Sequence, residues 1–220
     1  MAETPKQPLP RALWLGVGLL LGLLLLAYLL SLAELKRKPH LTLPVLGQVN
    51  DFTLTNQNAK ITTLADLTNH VWVADIIFTR CASSCPIMTS QMKSLQDSLP
   101  ADSDAKLVSL TTDPDYDSPA ILKKYGERYG ADFNRWMFLT GTKKEIANLG
   151  ADSLKLSAQP IDPKDQKDVA DLFIHTTIFI VVDKHAQLRG IFQTEGPDID
   201  WTNSAKPKLL AAVHQLEREP

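Results

Sequence analysis

The sequence predicts an α/β domain, a mixed sheet flanked by helices, preceded by one apolar N-terminal helix. Three observations carry this. Residues 71–78 form a nearly continuous apolar run, as expected of a central strand covered on both faces. Strand-like and helix-like segments then alternate through the rest of the chain, the pattern of a layered α/β architecture. Ahead of them, residues 12–33 are 22 consecutive uncharged residues, mostly leucine.

That leucine-rich run is long enough, at about 1.5 Å per residue, to cross a hydrocarbon core of roughly 30 Å. Ser31-Leu32-Ala33 resembles a signal-peptidase site, but the run exceeds the roughly 7–15 residues of a secretory h-region, so an uncleaved anchor is expected. No cysteine lies near the end of the run, which excludes a lipid-anchored lipoprotein. Lys6 and Arg11 precede the span and Lys36, Arg37 and Lys38 follow it, so the positive-inside rule does not fix the orientation; long domains translocate largely regardless of charge. The tail carries one arginine and one glutamate, unlike a mitochondrial presequence. The expectation is a single-pass protein of the inner (cytoplasmic) membrane of a bacterium, with its C-terminal domain in the periplasm. Its parts are a tail (1–11), a transmembrane helix (12–33), a linker (34–47) containing Lys36-Arg37-Lys38-Pro39, Pro44 and Gly47, and one domain (48–220). From residue 41 onward, 18 Lys plus Arg stand against 23 Asp plus Glu, a net charge of −5. An acidic domain of this kind is not expected to bind nucleic acid.

The elements follow in order. Phe52-Thr53-Leu54-Thr55 and Ile61-Thr62-Thr63-Leu64 alternate around Asn56-Gln57-Asn58-Ala59 and read as a hairpin. After the central strand, residues 86–98 read as a helix beginning at Pro86, with Ile87, Met88, Met92 and Leu95 on one face. Residues 106–112 are a strand. Ser118 and Pro119 supply the N-cap and first position of a helix reaching about Tyr129. Residues 136–140 are a strand, and 142–149 a helix with a Thr142/Glu145 capping box. Residues 176–183 and 187–193 form a second hairpin around Lys184-His185-Ala186, and 205–217 a closing helix. Strand, thiol pair, helix, strand, helix, strand, hairpin, helix is the order of a thioredoxin-like domain.

The chain's two cysteines lie in Phe78-Thr79-Arg80-Cys81-Ala82-Ser83-Ser84-Cys85-Pro86, where strand becomes helix. Two cysteines are too few for a disulfide framework and more apt for function. Separated by three residues, they can close a disulfide or converge on one soft metal ion. Cys85, near a helix N-terminus, is expected to favour the thiolate. A metal site needs a further ligand, and two thiolates with an imidazole suit copper or zinc. Of the histidines, His40 (linker), His70 (before the central strand), His185 (hairpin tip) and His214 (last helix) read as solvated or hydrogen-bonded side chains. His175 immediately precedes the apolar strand Ile178-Phe179-Ile180-Val181-Val182, whose leading loop faces the cysteine loop in a thioredoxin-like sheet. Met88 reads as core packing together with Met92. Asp113 and Asp117 read as turn and capping residues rather than an acid–base pair.

These motifs resemble the SCO/SenC family of membrane-anchored, thioredoxin-like copper chaperones. Phe78-Thr79-Arg80-Cys81 through Cys85-Pro86-Ile87-Met88 is similar to its strand-Cys-x3-Cys-Pro motif. Ser109-Leu110-Thr111-Thr112-Asp113-Pro114 with Asp117-Ser118-Pro119 is similar to its second motif, and His175-Thr176-Thr177 with Asp183 and Gly190 to its third. The likeness covers about residues 45–195. Two departures stand out: Ile174 occupies a position where the family often has Asp, and Ala82-Ser83-Ser84 is neutral where the family's loop is often acidic or contains proline.

The resemblance implies a copper ion held by Cys81, Cys85 and His175. It implies delivery to the binuclear copper centre of cytochrome c oxidase by ligand exchange. The partners it implies are the oxidase's copper-bearing subunit, other copper chaperones or thiol reductants, and the membrane. The alternative is a membrane-anchored thiol-disulfide oxidoreductase with Cys81 and Cys85 as its redox pair, acting on oxidase-subunit or other envelope thiols. A peroxidase of the peroxiredoxin type shares the fold, but its Pro-x-x-x-Thr/Ser-x-x-Cys pattern is absent around Cys81.

Overall fold

A computed structural model describes residues 11–36, 43–156, 159–160, 173–174 and 177–219. The chain divides into two compact units, Met1–His40 and Leu41–Pro220. The first contains α1 (Arg11–Lys36), one continuous helix of 26 residues. Its described leucines, among them Leu15, Leu19 and Leu26, are exposed. Among the described residues no helix is long and apolar enough to cross a membrane. In the full sequence, residues whose side chains lie outside the described set complete the run from 12 to 33.

The second unit is built on an eight-stranded mixed sheet. Its strands are β1 (Gly47–Gln48), β2 (Thr53–Asn56), β3 (Ile61–Thr63), β4 (Trp72–Ile77), β5 (Lys106–Thr111), β6 (Trp136–Thr140), β9 (Ile178–Val182) and β10 (Gln187–Gln193). A separate two-stranded ribbon pairs β7 (Gln159–Pro160) with β8 (Phe173–Ile174). The order across the large sheet is β1-β10-β9-β4-β5-β6-β2-β3. Central β4 runs parallel to β5 and antiparallel to β9. All six of its residues are buried, which is what its apolar run demands, since both faces are covered. This is the thioredoxin-like layer arrangement predicted from the sequence.

Alternate β4 residues feed two cores. Val73 and Ile77 face a layer with α2 (Ser84–Ser98), α3 (Pro119–Arg128) and α5 (Lys206–Arg218); it includes Met88, Met92, Leu95, Leu122, Leu209 and Val213. Trp72, Ala74 and Ile76 face the other layer, with Leu54, Leu67 and Ile146 of α4 (Lys143–Ala147). Burying a side chain such as Met92 or Leu95 contributes about 1.5–3 kcal/mol, so the apolar face of α2 fixes that helix, and the cysteine at its start, against the sheet.

Local chemistry sets the other boundaries. Asn56 Oδ1 accepts the Asn58 and Lys60 amides in the first hairpin turn, where Ala59 takes a positive φ of 57°. The Thr142/Glu145 capping box forms as expected, but α4 runs into a π-helical turn at Asn148–Ser153. Ser118 and Pro119 open α3 as predicted, although the Ser118 side chain makes no capping bond. Helix α2 differs more. It begins at Ser84, two residues ahead of Pro86, so Cys85 lies inside its first turn. Ile87 is half exposed while Met88, Met92 and Leu95 are buried, so Ile87 departs from their face. At the opposite end of the sheet, Arg189 donates to Asp183, Glu219 and the Leu43 carbonyl, and Lys184 donates to the Glu217 and Glu219 carbonyls. These bonds hold the end of α5 against the β9–β10 hairpin.

Candidate functional site

The end of β4 delivers Phe78 and the cysteine loop to the N-terminus of α2. Cys81 and Cys85 are both buried, and no disulfide joins them. The Cys85 thiol shares a hydrogen bond with Cys81 and receives one from the Phe78 backbone N–H. Cys81 Sγ lies 3.5 Å from Ser83 Oγ. The three intervening residues thus allow the sulfurs to meet, the condition for either a disulfide or a shared metal ion.

The electrostatic expectation for Cys85 is corrected. Its thiol is pushed above the ordinary range, first by the bond with Cys81, next by burial, with smaller contributions from the Cys81 and Asp75 charges. The Phe78 amide pulls the other way but does not prevail. A helix N-terminus stabilises a thiolate when it supplies donors to an accessible sulfur. Here the sulfur is buried against another thiol, and a second negative charge in that space is unfavourable.

A second loop, following β5, closes over the first. Asp117 is fully buried. Its Oδ2 accepts the Thr79 amide at 3.1 Å and the Thr111 hydroxyl at 2.5 Å, and its Oδ1 accepts the Thr79 hydroxyl at 2.5 Å. Burial raises the Asp117 pKa, and the Thr111 and Thr79 bonds oppose the rise. Asp113 accepts from Arg80 Nε at 3.1 Å and Nη2 at 2.5 Å, and the Arg80 guanidinium lies 4.3 Å from the centroid of the Tyr116 ring. The turn expected of these aspartates is present: the Asp117 amide donates to the Asp113 carbonyl at 2.8 Å. Capping is not Asp117's role, since Ser118 holds the N-cap position. Its side chain instead bridges to a residue 38 positions away, which local spacing does not encode.

Asp75 is the residue that sequence reading passed over. It sits in the middle of β4 with none of its surface exposed, and neither carboxylate oxygen has a hydrogen-bond partner among the described residues. Burial pushes its pKa up to about 7. Ser109, opposite it on β5, eases the charge slightly, and the Ser109 oxygen accepts from Trp136 Nε1–H at 3.0 Å. The available signal was a lone acid inside a run otherwise suited to a doubly covered strand.

Cys81 and Cys85 are brought together as expected, and Met88 is core as expected. His175 lies outside the described residues, as does His40. Among the described residues no three of His, Cys, Asp and Glu gather into a group able to hold a metal ion. His70 has the bland role expected of it, with Nδ1 3.0 Å from the Asp104 carbonyl oxygen. The start of β9 is joined to the cysteine helix: Gln91 Nε2 of α2 donates to the Thr194 carbonyl at 3.0 Å, and the Thr194 amide donates to the Thr177 carbonyl at 2.8 Å.

The SCO1/SenC family model matches residues 46–208. A SCO1 protein homolog of Bacillus subtilis is 37% identical over 141 residues, covering 63% of this chain and 70% of the relative. In three dimensions the chain is similar to BsSco, a member of the Sco family of cytochrome c oxidase assembly proteins in which a disulfide switch was identified. The TM-score is 0.66, with 30% identity over 80% of this chain and 97% of that one. Copper-bound ScoI of Bradyrhizobium japonicum shares the fold, with a TM-score of 0.63 and 20% identity over 77% of this chain and 99% of that one.

Proposed function

The chain belongs to the SCO1/SenC family, and from that premise we propose that it is a copper metallochaperone that assists assembly of the copper centre of cytochrome c oxidase. The observation that carries this reading is the pair of buried sulfurs, Cys81 and Cys85, in hydrogen-bonding contact where β4 meets α2. Thiolates are soft ligands that select copper(I), and an imidazole completes a three-coordinate set. His175 is the third ligand in this reading. The bond from the Thr177 carbonyl, two residues on from His175, through Thr194 to Gln91 supports it by tying that part of the chain to the cysteine helix.

Loading requires both cysteines reduced and releases their protons as the metal displaces them. The raised Cys85 pKa favours that proton in the empty protein, so copper must compete with it. Delivery proceeds by ligand exchange: cysteines of the oxidase's copper-bearing subunit replace Cys81, Cys85 and His175 in turn. The uncharged segment 12–33 anchors the chain in the inner membrane, with the Cys81/Cys85 domain facing the periplasm. The sulfur–sulfur contact also favours a second reading, thiol-disulfide exchange. A thiolate of the pair attacks a client disulfide, the other cysteine resolves the mixed disulfide, and the client leaves as a dithiol while Cys81 and Cys85 become a disulfide. The disulfide switch of BsSco supports a redox step at this position.

Full-length chain in detergent, reduced and titrated anaerobically with copper(I), is expected to take up a single equivalent, and the same chain oxidised beforehand is expected to take up none. Equal uptake by both forms would exclude the cysteine pair as the copper site. Client reduction without copper uptake would favour the oxidoreductase.

A further inference from the structure

The cysteine loop gets little support from the helix it leads into. Ser83, at the N-cap of α2, adopts φ −111° and ψ −100° and makes no side-chain capping bond. Within the loop, the Cys81 amide donates to the Phe78 carbonyl at 3.1 Å. The stronger restraints come from outside. Asp117 holds the Thr79 amide and hydroxyl, two residues before Cys81, and on its other side holds the hydroxyl of Thr111, the last residue of β5. Thr111 Oγ1 in turn accepts the Asp113 amide at 3.0 Å. One buried carboxylate therefore connects the end of a central strand to the peptide that leads into the first sulfur ligand. Charge-assisted bonds of this kind are about twice as strong as neutral ones. The Arg80–Asp113 ion pair braces the same loop from its half-exposed side, where screening weakens it.

We propose that Asp117 is a positioning residue for the cysteine pair: by fixing the Thr79 peptide it sets how closely the Cys81 sulfur approaches Cys85. It acts through Thr79, and its carboxylate is bonded to Thr79 and Thr111. Holding two reacting groups at the right separation raises their effective concentration. Loosening the loop disfavours disulfide closure and shifts the pair toward the dithiol. The proposal rests on the reading of Cys81 and Cys85 as the functional pair, but it does not require copper.

The test equilibrates copper-free full-length chain in detergent with glutathione buffers. One glutathione disulfide and the protein dithiol exchange to give the protein disulfide and two glutathione thiols. Asp117→Ala is expected to shift this equilibrium at least about tenfold toward the dithiol, and Thr79→Val about threefold in the same direction. Thr111→Val removes a donor from the same carboxylate, but on the strand side. It is expected to lower stability while leaving the equilibrium within about twofold of wild type. Should Asp117→Ala fail to fold, Thr79→Val against Thr111→Val decides. The proposal is overturned if Thr79→Val leaves the equilibrium unmoved, or if Thr111→Val shifts it as far. If the unaltered chain takes up no copper, the copper reading fails and the glutathione comparison still decides this one.

Discussion

Cys85→Ser is expected to weaken copper(I) binding by at least about 100-fold, because losing even a partner of a metal ligand costs about 10- to 100-fold and the proposed reading makes Cys85 a ligand itself. Serine keeps the shape but replaces a soft sulfur with a hard hydroxyl that does not ionise near neutral pH. The proposed ligands that remain, Cys81 and His175, lack the two-thiolate character that favours copper(I). The fold should tolerate the change, since Cys85 is a single small side chain at the edge of a core anchored by Met88, Met92 and Leu95. A competition titration against a copper(I) chelator, with far-UV circular dichroism as the folding control, measures it. Affinity within a few-fold of wild type, in a folded variant, contradicts the ligand role.

The second large effect is on stability. Asp75 keeps its proton in the folded protein up to about pH 7, against an ordinary value of 3.8. Below pH 4 the group is protonated in both states and imposes no penalty. As pH rises above 4 the unfolded chain releases the proton while the folded chain retains it, so the unfolded state binds fewer protons and stability falls. The loss is complete above about pH 7. At 1.36 kcal/mol per pH unit, it amounts to about 4 kcal/mol. Asp75→Asn removes the titration. Denaturant unfolding of the reduced, copper-free chain, followed by fluorescence of buried Trp72 and Trp136, should show the variant gaining on wild type by that amount between pH 4 and pH 8. Parallel pH profiles would show that Asp75 is ionised in the folded protein at no cost.

Much of the architecture could be read from the sequence because it depends on short-range pattern. The apolar run at 71–78, the alternation about Asn56-Gln57-Asn58-Ala59, Pro119 after Ser118 and the Thr142/Glu145 pair each act within a few residues, and each forms where expected. The Cys-x3-Cys-Pro motif was legible for the same reason. What escaped depends on tertiary neighbours. Asp117 carries a turn-like sequence, yet its energetic role is a bridge to Thr79 in another loop. Asp75 reads as one polar residue in a strand; its burial follows from tertiary packing, with every residue of β4 covered and the apolar layer of α2 above it. The Cys85 expectation failed because a helix-terminus argument counts nearby backbone donors, whereas burial and the neighbouring thiol decide the outcome. The start of α2 moved back to Ser84 because proline is tolerated throughout the first helical turn, so Pro86 marks a region and not a boundary.

The proposed three-ligand copper site is tested most directly by X-ray absorption and chelator competition on copper(I)-loaded full-length chain, with and without His175→Ala. A first shell of two sulfurs and one nitrogen is expected in the native chain. In the variant, loss of the nitrogen scatterer and an affinity lower by at least about tenfold are expected. An unchanged copper shell and unchanged affinity in His175→Ala would contradict the proposed ligand role of His175.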